Sequence, residues 1–303
     1  GFQKSIEAFQ KSIAVDPSYP PSHAGLANAY SFAGYFGMMP PREAFPLSHT
    51  VAETALDLNP GSSDALVARG MFCLMYEWDW DRARDDLTLA LELSPNSSLA
   101  HWAYAQYQLV LGYPQALDSA LHALSLDPLS LPIMNLVAFT YMNQGSFAEA
   151  MQMDQEMLSM DPGFAAAHWN LGVIHILQGR FEEARQELGQ SVEYSGGLAS
   201  ALAIQAYAHA VSGDEATALA ILSELQSRRQ SPGRGYASPV LIGFVHEGLG
   251  QTDEALNWLE LAITERDGWL IFMNSFPRFE TLRSDPRFEN ILRRVGLPEG
   301  NRK

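Results

Sequence analysis

Apolar and small residues recur along this chain in blocks about 34 residues long, and a proline after one short polar residue closes each block. Leu-Asn-Pro ends at Pro60, Leu-Ser-Pro at Pro95, Leu-Asp-Pro at Pro128 and Met-Asp-Pro at Pro162, which sets gaps of 35, 33 and 34 residues. Gly196 follows a further 34 residues on, and Val-Asp-Pro at Pro17 opens the series 43 residues before Pro60. A fixed period of this size predicts a stacked array of supersecondary units, each burying its apolar face against its neighbours.

The pattern inside a block predicts two helices and a tight turn. From Ala165 to Gly196, Leu171-Gly172 lies in a first helix, Gly179-Arg180-Phe181 makes the turn, and Ala184, Leu188 and Ser191 fall in a second helix. The preceding block carries Val137-Ala138, Tyr141, Gly145-Ser146-Phe147 and Ala150 in the same order. Gly172 and Ala138 sit where antiparallel helices touch and a large side chain would wedge them apart; Ala150 and Ala184 do the same from the second helix. Gly112, Gly145, Gly179 and Gly213 are placed to end first helices in the left-handed conformation. The Asp-Pro pair stops the second helix, since proline lacks an N–H and disfavours helix in the residue before it. This predicts seven helix pairs, at roughly 20–59, 63–94, 98–127, 131–161, 165–195, 199–228 and 236–264, preceded by an orphan second helix from Phe2 to Val15. The first pair is too long, with an insertion Gly34–Pro41 expected at or near its turn. Ser231–Gly235 after Gln230 reads as a loop or hinge, and 265–303, where the period stops, as a capping segment.

These small and aromatic positions at this period resemble the tetratricopeptide repeat. The resemblance covers nearly the whole chain and implies an all-α fold: a right-handed α-solenoid of antiparallel helix pairs with a C-terminal cap, the array at 1–264 and the cap at 265–303. Three segments resemble a narrower group. They are Ala29–Pro46 around the insertion, Tyr76-Glu77-Trp78-Asp79-Trp80-Asp81, and Glu265–Leu297. Together they look like the carboxy-terminal repeat regions of large bacterial signalling proteins. In that group a winged-helix, nucleotide cyclase or serine/threonine kinase effector lies upstream, and the array senses or docks. The chain starts in mid-repeat at Gly1, without an initiator methionine or an apolar signal, and is read as a fragment of a longer protein.

Composition narrows the function. The net charge is −16, and residues 1–227 hold 25 acids against 8 bases, whereas 264–303 hold 6 acids against 8 bases. Such a surface repels phosphate and argues against nucleic acid; it is either a solvated outer face or an attraction for a cationic partner. No apolar run approaches the length of a bilayer span, so no direct membrane contact is expected and the default location is cytoplasmic. The single cysteine, Cys73, lies in the apolar stretch Met71–Met75 and reads as a buried structural thiol.

The chemistry-bearing residues point away from catalysis, and no cofactor or metal is expected. His23, His101 and His168 occupy equivalent places in successive units, as do His175, His209 and His246. Equivalent places on stacked helices are at least about 8–10 Å apart, too far for shared ligation by nitrogens about 2 Å from a zinc ion, so they read as packing residues. In Glu77–Asp81 a carboxylate pair beside tryptophan suggests sugar chemistry. The simpler reading puts Trp80 in the turn position of Phe147 and Phe181 and uses Asp81 as a helix cap. Met153, Met157 and Met160 form a helical stripe expected in the core. In the tail, Arg278, Arg283, Arg287, Arg293 and Arg294 among Trp269, Phe276, Phe279 and Phe288 read as a cap salt-bridged to the acidic array.

In the fold that the resemblance implies, the first helices line a concave groove. The groove-facing places are Asn28 in the first pair, Trp102, Gln106 and Leu109 in the third, Asn135, Phe139 and Met142 in the fourth, and Trp169, Val173 and Tyr207 in the fifth and sixth. They are aromatic, apolar or amide-bearing, with no lysine or arginine to clamp a terminal carboxylate. This lining predicts a non-catalytic module that binds an apolar or aromatic segment of a protein or peptide partner, an amphipathic helix or the protein's own tail. The alternative for each ring is burial between adjacent units. At the level of function, the alternatives are a free-standing assembly scaffold, and an enzyme or small-molecule sensor using the groove.

Overall fold

The computed structural model describes residues 2–230, 236–273 and 280–297. It is helical, without a strand among the described residues, and divides into two compact units, Gly1–Asp127 and Pro128–Lys303. The expected hinge at Ser231–Gly235 lies outside the described residues, as do Phe276, Arg278 and Phe279 of the tail.

In the first unit, α1 (Phe2–Val15) is followed by the pairs α2 (Pro20–Tyr35) with α3 (Pro41–Leu58), α4 (Ser63–Phe72) with α5 (Trp80–Leu93), and α6 (Ser98–Val110) with α7 (Ala116–Leu126). A π-helical turn, Cys73–Glu77, extends α4. The second unit pairs α8 (Leu131–Asn143) with α9 (Phe147–Met160), α10 (Ala165–Leu177) with α11 (Phe181–Tyr194), α12 (Ala199–Val211) with α13 (Glu215–Arg229), and α14 (Pro239–Gly248) with α15 (Thr252–Glu265). A 3-10 turn, Gly268–Phe272, then precedes α16 (Glu280–Arg283) and α17 (Pro286–Val295). Within each unit the first helices also stack: α2 on α4 on α6, and α8 on α10 on α12 on α14.

The local chemistry explains the repetition. Gly112, Gly145, Gly179, Gly213 and Gly250 have φ between 71° and 87°. The residue after each donates its N–H to a carbonyl five positions back, as in Ser146 to Tyr141 at 3.0 Å and Arg180 to His175 at 2.9 Å. This closes the helix end and turns the chain back, and glycine adopts the required conformation without a Cβ penalty. Ser62, Asp79, Ser97 and Asp214 cap the following helices through their side chains. The cap of α5 is therefore Asp79, not the expected Asp81, which instead pairs with Arg84 at 2.9 Å in the first turn. The chain turns at Trp78 (φ 60°), leaving Asp79 non-helical at the N-cap.

Helix contacts rest on small residues meeting large ones. A Cβ on Gly172 would fall 2.5 Å from Leu188 Cγ, and one on Gly70 would fall 2.8 Å from Leu87 Cγ. Leu87 and Leu188 are fully buried, so the second helix seats its leucine directly on the backbone of the first. The first pair takes up its extra residues by lengthening both helices, and only 36–40 separate them. The methionine stripe is core at Met157 alone: Met153 is half-buried and Met160 is exposed. The buried place beside Met157 belongs to Asp154, whose carboxylate accepts a hydrogen bond from Asn170 Nδ2 at 2.9 Å.

Candidate interaction groove

The ten residues expected in a groove divide between the two units. In the first, Asn28 is buried and donates both amide hydrogens, to the carbonyls of Ala24 at 3.0 Å and Asp64 at 2.8 Å. It ties α2 to the start of α4 and presents no free donor. Trp102 packs against Phe32 and Tyr35, with ring centroids 5.2 and 5.9 Å apart. Gln106 donates to the Tyr35 hydroxyl at 2.8 Å, and burial pushes that phenol up to about 12. Trp102, Gln106 and Leu109 are buried, and the aromatic end of the lengthened α2 packs on Trp102 and Gln106.

In the second unit, Met142, Trp169, Val173 and Tyr207 are buried, and Asn135 and Phe139 are half-buried. Asn135 Oδ1 accepts from Asn170 Nδ2 at 2.9 Å, and the same amide donates to Asp154. Asp154 is fully buried, and burial holds its carboxyl well above the ordinary range. Tyr207 lies against the end of α14, where a Cβ on Gly248 would come within 2.8 Å of its ring.

The rings of Trp169 and Phe139 meet a segment far away in sequence. Trp269 lies 6.0 Å from Trp169, and Phe272 lies 5.7 Å from Phe139, edge to face. Trp269 and Phe272 are themselves 6.0 Å apart. Leu270, Ile271 and Met273 are fully buried, whereas Trp269 is half-buried. The chain's own 3-10 turn therefore sits on the predicted groove residues. The sequence placed this segment in a cap; its only local signal for the groove was two aromatic residues three positions apart.

Asp267 fixes the entry to that turn. It is fully buried; one carboxylate oxygen accepts from the Ser238 hydroxyl at 2.5 Å and the Val240 N–H at 3.3 Å, and the other accepts from the Trp269 N–H at 3.1 Å. One side chain thus caps both α14 and the 3-10 turn. Burial pushes its carboxyl up to about 6, against the hydrogen bonds from Ser238, Trp269 and Val240 and reinforced by Glu265. Glu265 pairs with Arg229 at 2.5 Å and accepts from the Tyr236 hydroxyl at 3.1 Å. Burial also raises the Tyr236 phenol, helped by Asp267 and Glu265. Further on, α17 lies on α15, where Arg287 reaches Asp253 at 2.8 Å and Arg294 reaches Glu260 at 2.6 Å.

Five of the six histidines in the two rows have hydrogen-bond partners within the array. His23, His101 and His168 each direct Nε2 at the carbonyl of the proline six residues earlier, at 2.9, 2.9 and 3.2 Å, so each ring ties its helix to the preceding turn. His209 and His246 use Nδ1 toward Asp214 and Gln251, five residues on, at 2.9 and 2.7 Å. His175 is held below its usual range by burial first, then by Arg180. Among the described residues, no three His, Cys, Asp or Glu side chains converge as a metal site. Cys73 is buried, and burial pushes its thiol up to about 12.

This architecture defines an α-solenoid of helix pairs. Residues 141–206 match the family model described as Tetratricopeptide repeat. Within residues 141–206 the repeats are of tetratricopeptide type. The chain is also similar to Tetratricopeptide repeat protein 6 of Homo sapiens, 20% identical over 193 residues, covering 64% of this chain and 36% of that protein. It thus spans about a third of the length of the curated relative it matches. Among solved structures, the APC/C hetero-tetramer Cut9-Hcn1 matches with a TM-score of 0.64 at 14% identity, over 97% of this chain and 52% of that one. The human IFIT1 dimer with m7Gppp-AAAA matches with a TM-score of 0.60 at 17% identity, over 87% and 68%. PilW, a type IV pilus biogenesis factor, matches at 0.51 and 19%, over 69% and 96%. At these identities the likeness is one of fold. Such repeats typically form non-enzymatic scaffolds that bind proteins or peptides. No helix among the described residues is long and apolar enough to cross a membrane.

Proposed function

We propose that this chain is a non-catalytic protein-interaction module, an array through residue 264 with a cap from 265, and that the groove of its second unit takes an apolar, aromatic peptide segment. One observation carries the reading: Trp169 and Phe139 are each in ring contact with an aromatic side chain from outside the stacked pairs. Edge-to-face and tilted ring pairs at this distance add about 0.5–1.5 kcal/mol beyond area burial, so a segment offering such rings in register is recognised by shape. The groove residues carry no cationic side chain, and the net charge of −16 favours a protein over a nucleic acid as partner. The resemblance of Ala29–Pro46, Tyr76–Asp81 and Glu265–Leu297 to bacterial signalling proteins supports a place as the sensing arm of an effector. The open reading frame upstream of Gly1 tests that wider role.

Selection of a random peptide library on the immobilised full chain tests the groove. Peptides with two aromatic residues three positions apart are expected, and their binding is expected to fall when Phe139 and Trp169 are replaced by Ala. Enrichment of charged peptides, or of aromatic ones indifferent to Phe139 and Trp169, would overturn the assignment.

A further inference from the structure

Resting on that reading, we infer that Gly268–Met273 is a resident ligand of the second unit's groove, and that the partner is a foreign segment carrying Trp-x-x-Phe, or its aromatic equivalent, in a tight helical turn that takes its place. In a 3-10 helix, side chains three positions apart stand one above the other. Trp269 and Phe272 therefore share one face of the turn, 6.0 Å apart, and each meets one ring of the stacked first helices. This is the ligand chemistry expected from the lining alone, met within the same chain.

Two features make the segment separable from the array that holds it. It follows α15 through Arg266, a left-handed residue at φ 55°, so the chain changes direction where the segment begins. Its entry is fixed by one carboxylate, Asp267, that ties Trp269 to Ser238 and Val240 at the start of α14. Keeping that carboxylate in the interior opposes the closed arrangement, while burial of Leu270, Ile271, Phe272 and Met273 favours it. The groove is closed at rest, and a partner binds in proportion to the fraction of open molecules.

The test uses the full chain and a dye-labelled peptide of sequence Gly-Trp-Leu-Ile-Phe-Met with a lysine tail, followed by fluorescence anisotropy. Wild type is expected to bind weakly. W269A/F272A, whose resident turn has lost both rings, is expected to bind at least about ten-fold more tightly, and F139A/W169A added to it is expected to abolish the gain. In wild type at saturating peptide, hydrogen exchange in 262–273 is expected to rise as the resident turn leaves. An unchanged affinity in a W269A/F272A chain of native helicity, or unaltered exchange in wild type at saturation, overturns the inference. Concentration-dependent dimers of wild type that vanish in W269A/F272A would seat a second copy there and overturn the foreign partner. If the library still yields Phe139- and Trp169-dependent peptides while this peptide fails, the resident-ligand inference falls and the groove reading stands. If neither binds, both fall.

Discussion

Asp267 offers a test in which the sign is as informative as the size. Its carboxyl is pushed from 3.8 to about 6 by burial, so the closed turn holds a proton more tightly than an opened one does. Stability tied to this group is therefore greatest below pH 3.8, falls as pH rises from there to about 6, and is level above it. A shift of about two units at 1.36 kcal/mol each corresponds to about 3 kcal/mol. The group is fully buried, so solvent screening takes little from that figure. The perturbation is D267N, which cannot titrate. Hydrogen exchange of 262–273, corrected for intrinsic rates and measured from pH 4 to pH 7.5, reports the local opening free energy. Because the opened group is already more than half ionised at pH 4, wild type is expected to lose about 2.4 kcal/mol across this window, and D267N to lack that component whatever the absolute effect of exchanging an acceptor for a donor. Glu265 and Tyr236, the titratable neighbours of Asp267, and Arg229, which pairs with Glu265, are the same in both proteins. Superposable pH profiles, or a wild-type opening energy that increases with pH, would refute the argument.

Three further outcomes follow from the packing. G172A drives a Cβ into Leu188 and is expected to destabilise the second unit by about 1–3 kcal/mol in urea unfolding. In contrast G189A, which has only Gln205 Nε2 at 4.0 Å, is expected to stabilise it by about 0.5–1 kcal/mol. R69M removes the guanidinium that bonds Asp86 at 2.7 and 2.8 Å, and leaving that buried carboxylate unpaired is expected to cost the first unit about 3 kcal/mol; a shift below 1 kcal/mol would place the pair among exposed ones. Cys73 is expected to resist maleimide in the native protein at pH 8 and to react stoichiometrically in urea, because its thiol is buried and pushed up to about 12.

The parts of this fold that were legible in the sequence are those set by local chemistry. The Asx-Pro stops, the glycines that turn first helices, and the small residues at 172 and 184 act within one repeat, so the 34-residue period exposes them. The places held by Trp169 and Phe139 on their first helices were legible for the same reason, because they recur. What occupies them was not: Trp269 meets a ring a hundred residues earlier, and nothing in the period encodes that pairing. Asp154 was hidden in another way. The methionine stripe around it reads as apolar, and its burial is intelligible only once Asn170, on the next first helix, supplies a donor. The insertion at Gly34–Pro41 looked like a turn because of its glycines and prolines, yet most of the added length entered the two flanking helices.

The π-helical turn at Cys73–Glu77 bears on how such a chain changes over generations. Trp78, the left-handed residue ending this stretch, stands 18 residues after Pro60, whereas Gly112, Gly145 and Gly179 each stand 17 after their own proline. The second pair thus carries one surplus residue in its first half, and a single wide coil takes it up. Flanking residues on both sides keep their faces, and Leu87 still meets Gly70 as Leu188 meets Gly172. An in-frame codon gained or lost within such a coil is absorbed where it arises, and no neighbouring repeat has to mutate in step.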